Sequence, residues 1–319
     1  MATWTLQRAL RGVLCLGLLW AVTPAQATAP ASAASVMPPA AADTVLAHDQ
    51  RTGAGKPSGA AEIALFDGSG NARDCAATFA RLRRQALAGR SGAQLRVGAL
   101  YLRGQRCGRF DLPIDDGLAA QFLAHAAIQG RFPAMAAMAE LELRRHQSMA
   151  ANVWAQVYVH FMAPHLSASG RGYLGLLLQR TLPLLDTAER RTLLVNANGF
   201  IAAYASSIEQ GLLRRAQRPR RGDPVCRVHP EFKGGFLPSE NPVLTHSAML
   251  LYWLAVDRNG RVRALAPVLQ LSGAGYARYA DRAVERVRFN PAPQCAQPLR
   301  YTLYGVFLNN GNRSASLPG

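Results

Sequence analysis

The hydrophobic rhythm of the chain changes between its two halves. From about residue 62 to 218, apolar positions recur every three or four residues with short punctuation between them, which predicts a succession of helices. Residues 72–87 and 93–103 are two such stretches, separated by Gly89-Arg90-Ser91-Gly92, and further helices are expected near 171–185 and 187–217. From about 247 to 309 the period shortens. Residues 250–256 read as a strand, and Asp257-Arg258-Asn259-Gly260 follows. Asn-Gly between apolar strands signals a tight hairpin, because both residues accept positive φ. Residues 261–271 return as a second strand and end in Ser272-Gly273. Tyr276, Tyr279, Ala280, Ala283, Val284 and Val287 then fall on one helical face, opposite Arg278, Arg282, Glu285 and Arg286. Phe289-Asn290-Pro291-Ala292 stops that helix. Residues 298–308 form a last strand, with Leu299, Tyr301, Leu303 and Phe307 to one side. The predicted class is α+β: a helix-hairpin domain followed by a small antiparallel ββαβ domain.

The N-terminus carries an address. Arg8 and Arg11 precede a short apolar run at 12–22, and Ala25-Gln26-Ala27 offers a small-x-small cleavage site. This is the pattern of a secretory signal peptide at 1–27, and the apolar run is shorter than the roughly 20 residues of a membrane span. Residues 28–60, rich in Ala and Pro, are expected to be a disordered tether. The remaining boundaries are a helical domain at 61–218, a Pro- and Gly-rich linker at 219–246, the ββαβ domain at 247–310 and a disordered tail at 311–319.

Charge at first points elsewhere. Lys and Arg number 36 against 19 Asp and Glu, a formal charge of +17, and only Lys56 and Lys233 are lysines. Such a balance suggests nucleic acid. An export signal redirects the reading to a bacterial periplasm, where nucleic acid is scarce and no such partner is expected. The local feature that survives is Arg214, Arg215, Arg218, Arg220 and Arg221, five arginines in eight positions. It reads first as a solvated linker at a helix C-terminus, where positive charge is favourable. The alternative is a contact for an anionic envelope surface, since arginine binds phosphate bidentately.

Export also changes the meaning of the cysteines. Cys15 lies in the signal, leaving Cys75, Cys107, Cys226 and Cys295, which allow three connectivities. An oxidising compartment favours pairing. In an antiparallel helix pair the start of one helix lies beside the end of the next, and Cys75 and Cys107 hold those positions. The expected bridges are Cys75–Cys107 and Cys226–Cys295.

Two stretches resemble known families. Ala93, Val97-Gly98, Tyr101, Gly104, Asp115, Ala119, Phe122, Ala126-Ala127 and Gly130 follow the spacing of a Sel-type repeat, a relative of the tetratricopeptide repeats. A degenerate second unit runs from Ala134 through Ala151 and Trp154, so the resemblance spans about 72–165. The second stretch, about 240–310, is similar to the C-terminal domain of TonB-type energy transducers. It is carried by Val256-Asp257 and Gly260-Arg261-Val262 at the hairpin, Ser272-Gly273, Ala283, and Arg288-Phe289-Asn290-Pro291-Ala292. That resemblance implies a non-catalytic domain whose last strand accepts an extended peptide from an envelope protein, such as an outer-membrane receptor, by strand addition. The implied surface is Arg300, Tyr301, Thr302, Leu303 and Tyr304.

Catalytic signatures do not stand out. HExxH, Ser-x-x-Lys and GxSxG are absent, and the histidines lack metal-ligand spacing. Gly68-Ser69-Gly70 reads as a helix lead-in, and Asp115-Asp116 as a capping pair. The sequence therefore suggests a periplasmic interaction protein without cofactor or metal, binding envelope partners through the last strand and a helical surface. The alternatives are a membrane-anchored TonB-type transducer, if the N-terminal segment is retained, and an envelope hydrolase with an unrecognised site.

Overall fold

The computed structural model describes residues 58–166, 168–217, 226, 228, 247–272, 274–308 and 315–317. The expected signal peptide, nearly all of the tether and most of the linker lie outside the described residues. The architecture is mixed helix and antiparallel sheet. The helical part runs α1 (Ser58–Asp67), α2 (Ala72–Leu87), α3 (Ser91–Arg103), a two-stranded hairpin β1 (Gln105–Cys107) and β2 (Phe110–Leu112), α4 (Asp116–Ile128), α5 (Phe132–Arg144), α6 (Ser148–Met162), α7 (Ala168–Thr181) and α8 (Thr187–Gln217). Then come β3 (Ala248–Asp257), β4 (Val262–Leu271), α9 (Ala277–Glu285), β5 (Leu299–Leu308) and β6 (Ala315–Leu317).

Local chemistry explains where several helices begin. The Asn71 side chain accepts from the Asp74 N–H at 2.9 Å and caps α2, so Gly68-Ser69-Gly70 is its lead-in. Asp115 accepts from the Leu118 N–H at 2.8 Å and caps α4, and Asp116 pairs with Arg144. Both acidic residues sit where the helix dipole favours them. The hairpin β1–β2 was not legible in the apolar pattern. It carries Cys107 back to Cys75 at the start of α2, with 6.3 Å between their Cα atoms. Cys226 and Cys295 form the second bridge, at 5.0 Å.

The four-stranded sheet has the order β4-β3-β5-β6, with every pair antiparallel. Its central strand β3, Ala-Met-Leu-Leu-Tyr-Trp-Leu-Ala-Val-Asp, is apolar almost without alternation because both faces are covered. Met249, Leu251 and Ala255 join the core of the helices, together with Phe307 of β5. Leu250, Tyr252 and Leu254 face the other way and pack with Tyr304 and Val306 of β5 and with Ala280 and Val284 of α9. The expected alternation of Leu299, Tyr301, Leu303 and Phe307 holds, and all four pack toward the helices.

The tight turn at Asn259-Gly260 is where two motifs meet. Gly260 has φ +75°, and a Cβ there would overlap the Phe289 carbonyl. Gly260 O accepts the Phe289 N–H at 2.9 Å, and Arg258 O accepts the Ala292 N–H at 2.7 Å. The Phe-Asn-Pro-Ala stretch thus docks on the hairpin through backbone bonds.

Two details depart from the sequence reading. Helix α1 starts at Ser58, inside the stretch expected to be tether, and Gly59 is buried with its Cα against the Tyr301 ring. Strand β6 falls within the expected tail and pairs with residues 305–307 of β5. The seating of Gly59 against Tyr301 joins residues 242 positions apart, which local periodicity does not encode, and β6, at three residues, is too short to show a period.

Candidate functional site

Residues 300–304 of β5 pair with β3 along one side, as Val256↔Arg300 through Tyr252↔Tyr304. On the other side, β6 reaches only Gly305, Val306 and Phe307. Among the described residues, the outer edge of 300–304 therefore has no strand neighbour. A strand edge without a strand neighbour presents alternate N–H and C=O groups to an extended chain.

The opposite edge of the sheet is closed differently. β4 carries Pro267, which cannot donate to a further strand, and Arg103 of α3 donates to the Pro267 carbonyl at 2.6 Å. The same guanidinium bonds Phe66 O and, at 2.5 Å, Gln105 Oε1. Burial lowers the Arg103 pKa to about 10, with Asp67 acting against the shift. Arg103 thus fastens α3 and α1 to β4.

The five side chains expected at the binding strand play unequal parts. Arg300 is 2% exposed, and its guanidinium donates to Asp257 O at 2.8 Å and Asn290 O at 2.9 Å. Its side chain ties the hairpin to the loop after α9 and is not offered outward, which corrects the expectation of a partner contact. Tyr304 is buried against Phe289 in an edge-to-face pair with centroids 5.5 Å apart. Burial raises its phenol pKa to about 12. Tyr301 lies over Gly59. Thr302 and Leu303 are half-buried, and they are the positions from which an edge contact can be made.

Leu303 also borders a cavity of about 610 Å³. Arg90, Arg96, Arg131 and Arg214 line it, and no carboxylate does among the described lining residues. Arg90 is the N-cap residue of α3 and Arg131 that of α5, and neither makes a side-chain cap bond. Each follows a glycine in the left-handed region, Gly89 at φ +75° and Gly130 at φ +77°. Arg131 Nε donates to Ser91 Oγ at 3.1 Å, so the two turns are joined. Helix α8 reaches the cavity by backbone contact: a Cβ on Gly211 would overlap the Gln129 carbonyl, and Arg214 lies one turn further on.

Arg96 crosses from the cavity wall toward the sheet. Its guanidinium carbon lies 5.0 Å from the Trp253 ring centroid, and its Nε is 3.4 Å from Glu62 Oε2. Burial lowers the Arg96 pKa, and Glu62 acts against that shift. Of the linear basic run, Arg214 is exposed and lines the cavity. Arg215 is on α8, but its side chain is outside the description, and Arg218, Arg220 and Arg221 lie outside the described residues.

No family model, curated protein or solved structure matches this chain. The functional reading therefore rests on the geometry of the site and on the motifs themselves.

A second cavity of about 610 Å³ runs beside β4, between Glu140, Arg180 and Ser272. Ser272 has φ +56°, and its hydroxyl donates to Glu140 Oε1 at 2.5 Å. Both Glu140 oxygens accept from Arg180, at 2.7 and 2.8 Å. Among the described residues no group of His, Cys, Asp and Glu is arranged to hold a metal ion, and no helix is long and apolar enough to cross a membrane.

Proposed function

We propose that this chain is an exported, non-catalytic interaction protein. It captures an extended segment of an envelope protein by strand addition along residues 300–304 of β5, and its helices supply a second surface. The observation that carries this reading is the short reach of β6: strand pairing on the outer side of β5 covers 305–307 and leaves 300–304 open among the described residues. The contrast with β4, blunted by Pro267 and Arg103, favours β5 as the receptive edge. The order strand–strand–helix–strand supports the likeness to the TonB C-terminal domain, and the two disulfides are compatible with a periplasmic home.

The test is a photoreactive amino acid placed at Thr302 in the full chain expressed with its export signal. Position 302 is expected to cross-link a protein partner, and a control at the exposed Thr192 on α8 is not. Equal labelling at both positions, or none at 302, would sink the reading.

One observation favours a different reading. Ser272, at a strand-to-helix turn with positive φ and a carboxylate beside its hydroxyl, has the outline of a hydrolase nucleophile. The Glu140–Arg180–Ser272 cluster also braces α5 and α7 against β4, which needs no reaction to explain it. Covalent labelling of Ser272 by a fluorophosphonate would favour the hydrolase; an unlabelled Ser272 favours the brace.

A further inference from the structure

The cavity beside β4 carries an inference that does not rest on β5 accepting a strand. We infer that it binds the C-terminus of an extended protein tail, which pairs antiparallel with residues 268–272 at the β4 edge and places its carboxylate at Arg103.

The shape of the cavity comes first. Five successive residues, Val268 to Ser272, line it. Successive side chains of a strand point to opposite faces, so a cavity that meets all five runs along the strand's edge and not over one face. β4 is the outer strand of its sheet, and among the described residues no strand pairs with its free side. The facing wall is helical, with Leu102 and Arg103 of α3 and Leu141 and Arg144 of α5. A groove between an edge strand and helices offers main-chain bonds on one side and room for alternate side chains on the other, which is how strand addition holds an extended peptide. Ile114 and Leu184 stand exposed at the rim and suit an apolar side chain of the tail.

Charge sets the end and the direction. Among the described lining residues, Arg103, Arg144 and Arg180 meet one carboxylate, Glu140. Arg180 pairs with Glu140, and Arg144 pairs with Asp116. Arg103 has no carboxylate within ion-pair distance among the described residues. Its bonds go to the uncharged oxygens Pro267 O, Phe66 O and Gln105 Oε1, and its buried Nε has no hydrogen-bond partner among the described residues. A guanidinium has more N–H donors than these bonds use, so Arg103 retains capacity for an anionic acceptor. Pro267 lacks an N–H and its carbonyl is occupied by Arg103, so an added strand goes no further. The blunting that keeps a through-running segment off β4 therefore suits a chain that ends there. Antiparallel to β4, the tail enters at Ser272 and brings its carboxylate to Arg103. Parallel, a chain starting at that end would set an ammonium against the guanidinium, which is unfavourable. The stretch from Pro267 to Ser272 spans about 17 Å, which holds roughly four or five residues of tail. The protein's own last described strand, β6, is engaged on β5, so the tail belongs to another protein.

The protein's formal charge of +17 attracts any carboxylate weakly, so the test must separate a site from a diffuse field. Fluorescence anisotropy of the disulfide-intact full chain uses fluorescein-labelled heptapeptide pools ending in Leu, prepared as free acids and as C-terminal amides. The expected result is saturable binding of the free-acid pool, with the amide pool roughly tenfold weaker. Arg103→Gln should abolish the preference for the free acid, an effect that a merely structural role for Arg103 would not produce. The Ile114→Ser/Leu184→Ser double variant changes two exposed, uncharged rim positions and should weaken free-acid binding roughly tenfold. A fold defect in Arg103→Gln, read by circular dichroism, therefore leaves the test intact. Arg282→Gln on α9 removes one charge elsewhere and is expected to leave binding unchanged. Amide hydrogen exchange with saturating free-acid peptide separates the two sheet edges, and protection is expected at 268–272. Absence of saturable binding, equal binding of acid and amide to the wild type, equal weakening by Arg282→Gln and the rim variant, or protection confined to 300–304 overturns the proposal.

Discussion

Glu62 is the buried charge on which the junction between helices and sheet depends. It is 3% exposed, 3.0 Å from Arg81 and 3.4 Å from Arg96. Arg96 in turn lies over Trp253 of β3, whose indole N–H donates to Gly59 O at 3.2 Å in α1. Glu62→Gln keeps the volume and removes the charge. At an effective dielectric constant of about 20, pairs at these spacings attract by roughly 5 kcal/mol each, part of which offsets the desolvation of both groups. Removing one partner of a buried pair typically costs about 3–5 kcal/mol, because the other charge is left stranded. Arg81 is 30% exposed and rehydrates easily, whereas the Arg96 side chain is 14% exposed and does not. The expected loss is therefore at the lower end, about 3 kcal/mol, a large share of a typical stability of about 5–15 kcal/mol. The assay is urea unfolding at pH 7 with the disulfides intact. Adding Arg96→Met should recover part of the loss, with a coupling of at least about 1 kcal/mol in the double-mutant cycle. A loss below about 1 kcal/mol for Glu62→Gln, or strict additivity in the cycle, would refute the reasoning.

Three further outcomes follow from the same structure. Gly211→Val forces side-chain atoms into the Gln129 carbonyl; it should cost about 1–3 kcal/mol by overpacking, read as a lower urea midpoint. Asp257 accepts from the Asn259 and Arg261 N–H groups at 2.8 and 2.9 Å and from Arg263 at 2.7 Å. Burial would raise its pKa, but these donors outweigh burial and hold it below the usual aspartate value. The unfolded chain therefore binds a proton more readily than the folded one. The contribution of Asp257 is complete above its unfolded pKa and is lost as pH falls through its folded value, so unfolding curves of Asp257→Asn and wild type should converge on acidification. Replacing Cys226 and Cys295 by Ser opens a loop of separation 69 and should cost about 4 kcal/mol on the chain-entropy model, read as a lower urea midpoint.

How much of this was legible depends on range. The hairpin at Asn259-Gly260, the amphipathic α9 and the alternating β5 follow from periods of two and 3.6 residues, and the structure places these elements within a few residues of where the pattern puts them. The Cys75–Cys107 bridge was readable because an antiparallel helix pair dictates which positions meet. The seating of Gly59 under Tyr301 was not, since a glycine leaves no pattern and the two residues are 242 positions apart. The arginine cavity was half visible. The run at 214–221 drew attention as a linear cluster, yet the cavity assembles one member of that run with residues from two turns. A subtler signal pointed there: Gly89-Arg90 and Gly130-Arg131 recur 41 residues apart, with arginine where a capping residue belongs. Arg300, by contrast, looked like a contact on an open strand and proved to be an internal tie, because sequence alternation assigns a face and cannot say what covers it.

The central claim is that, among the described residues, strand pairing on the outer side of β5 covers 305–307 and leaves 300–304 without a strand neighbour. Residue-resolved amide hydrogen exchange on the free, oxidised protein tests it most directly. Amides of 300–304 that point away from β3 should exchange at least a hundredfold faster than the outward amides of 305–307, while their inward neighbours stay protected with β3. Uniform protection from 300 to 308 in the free protein would mean that the edge is already covered, and would contradict the account.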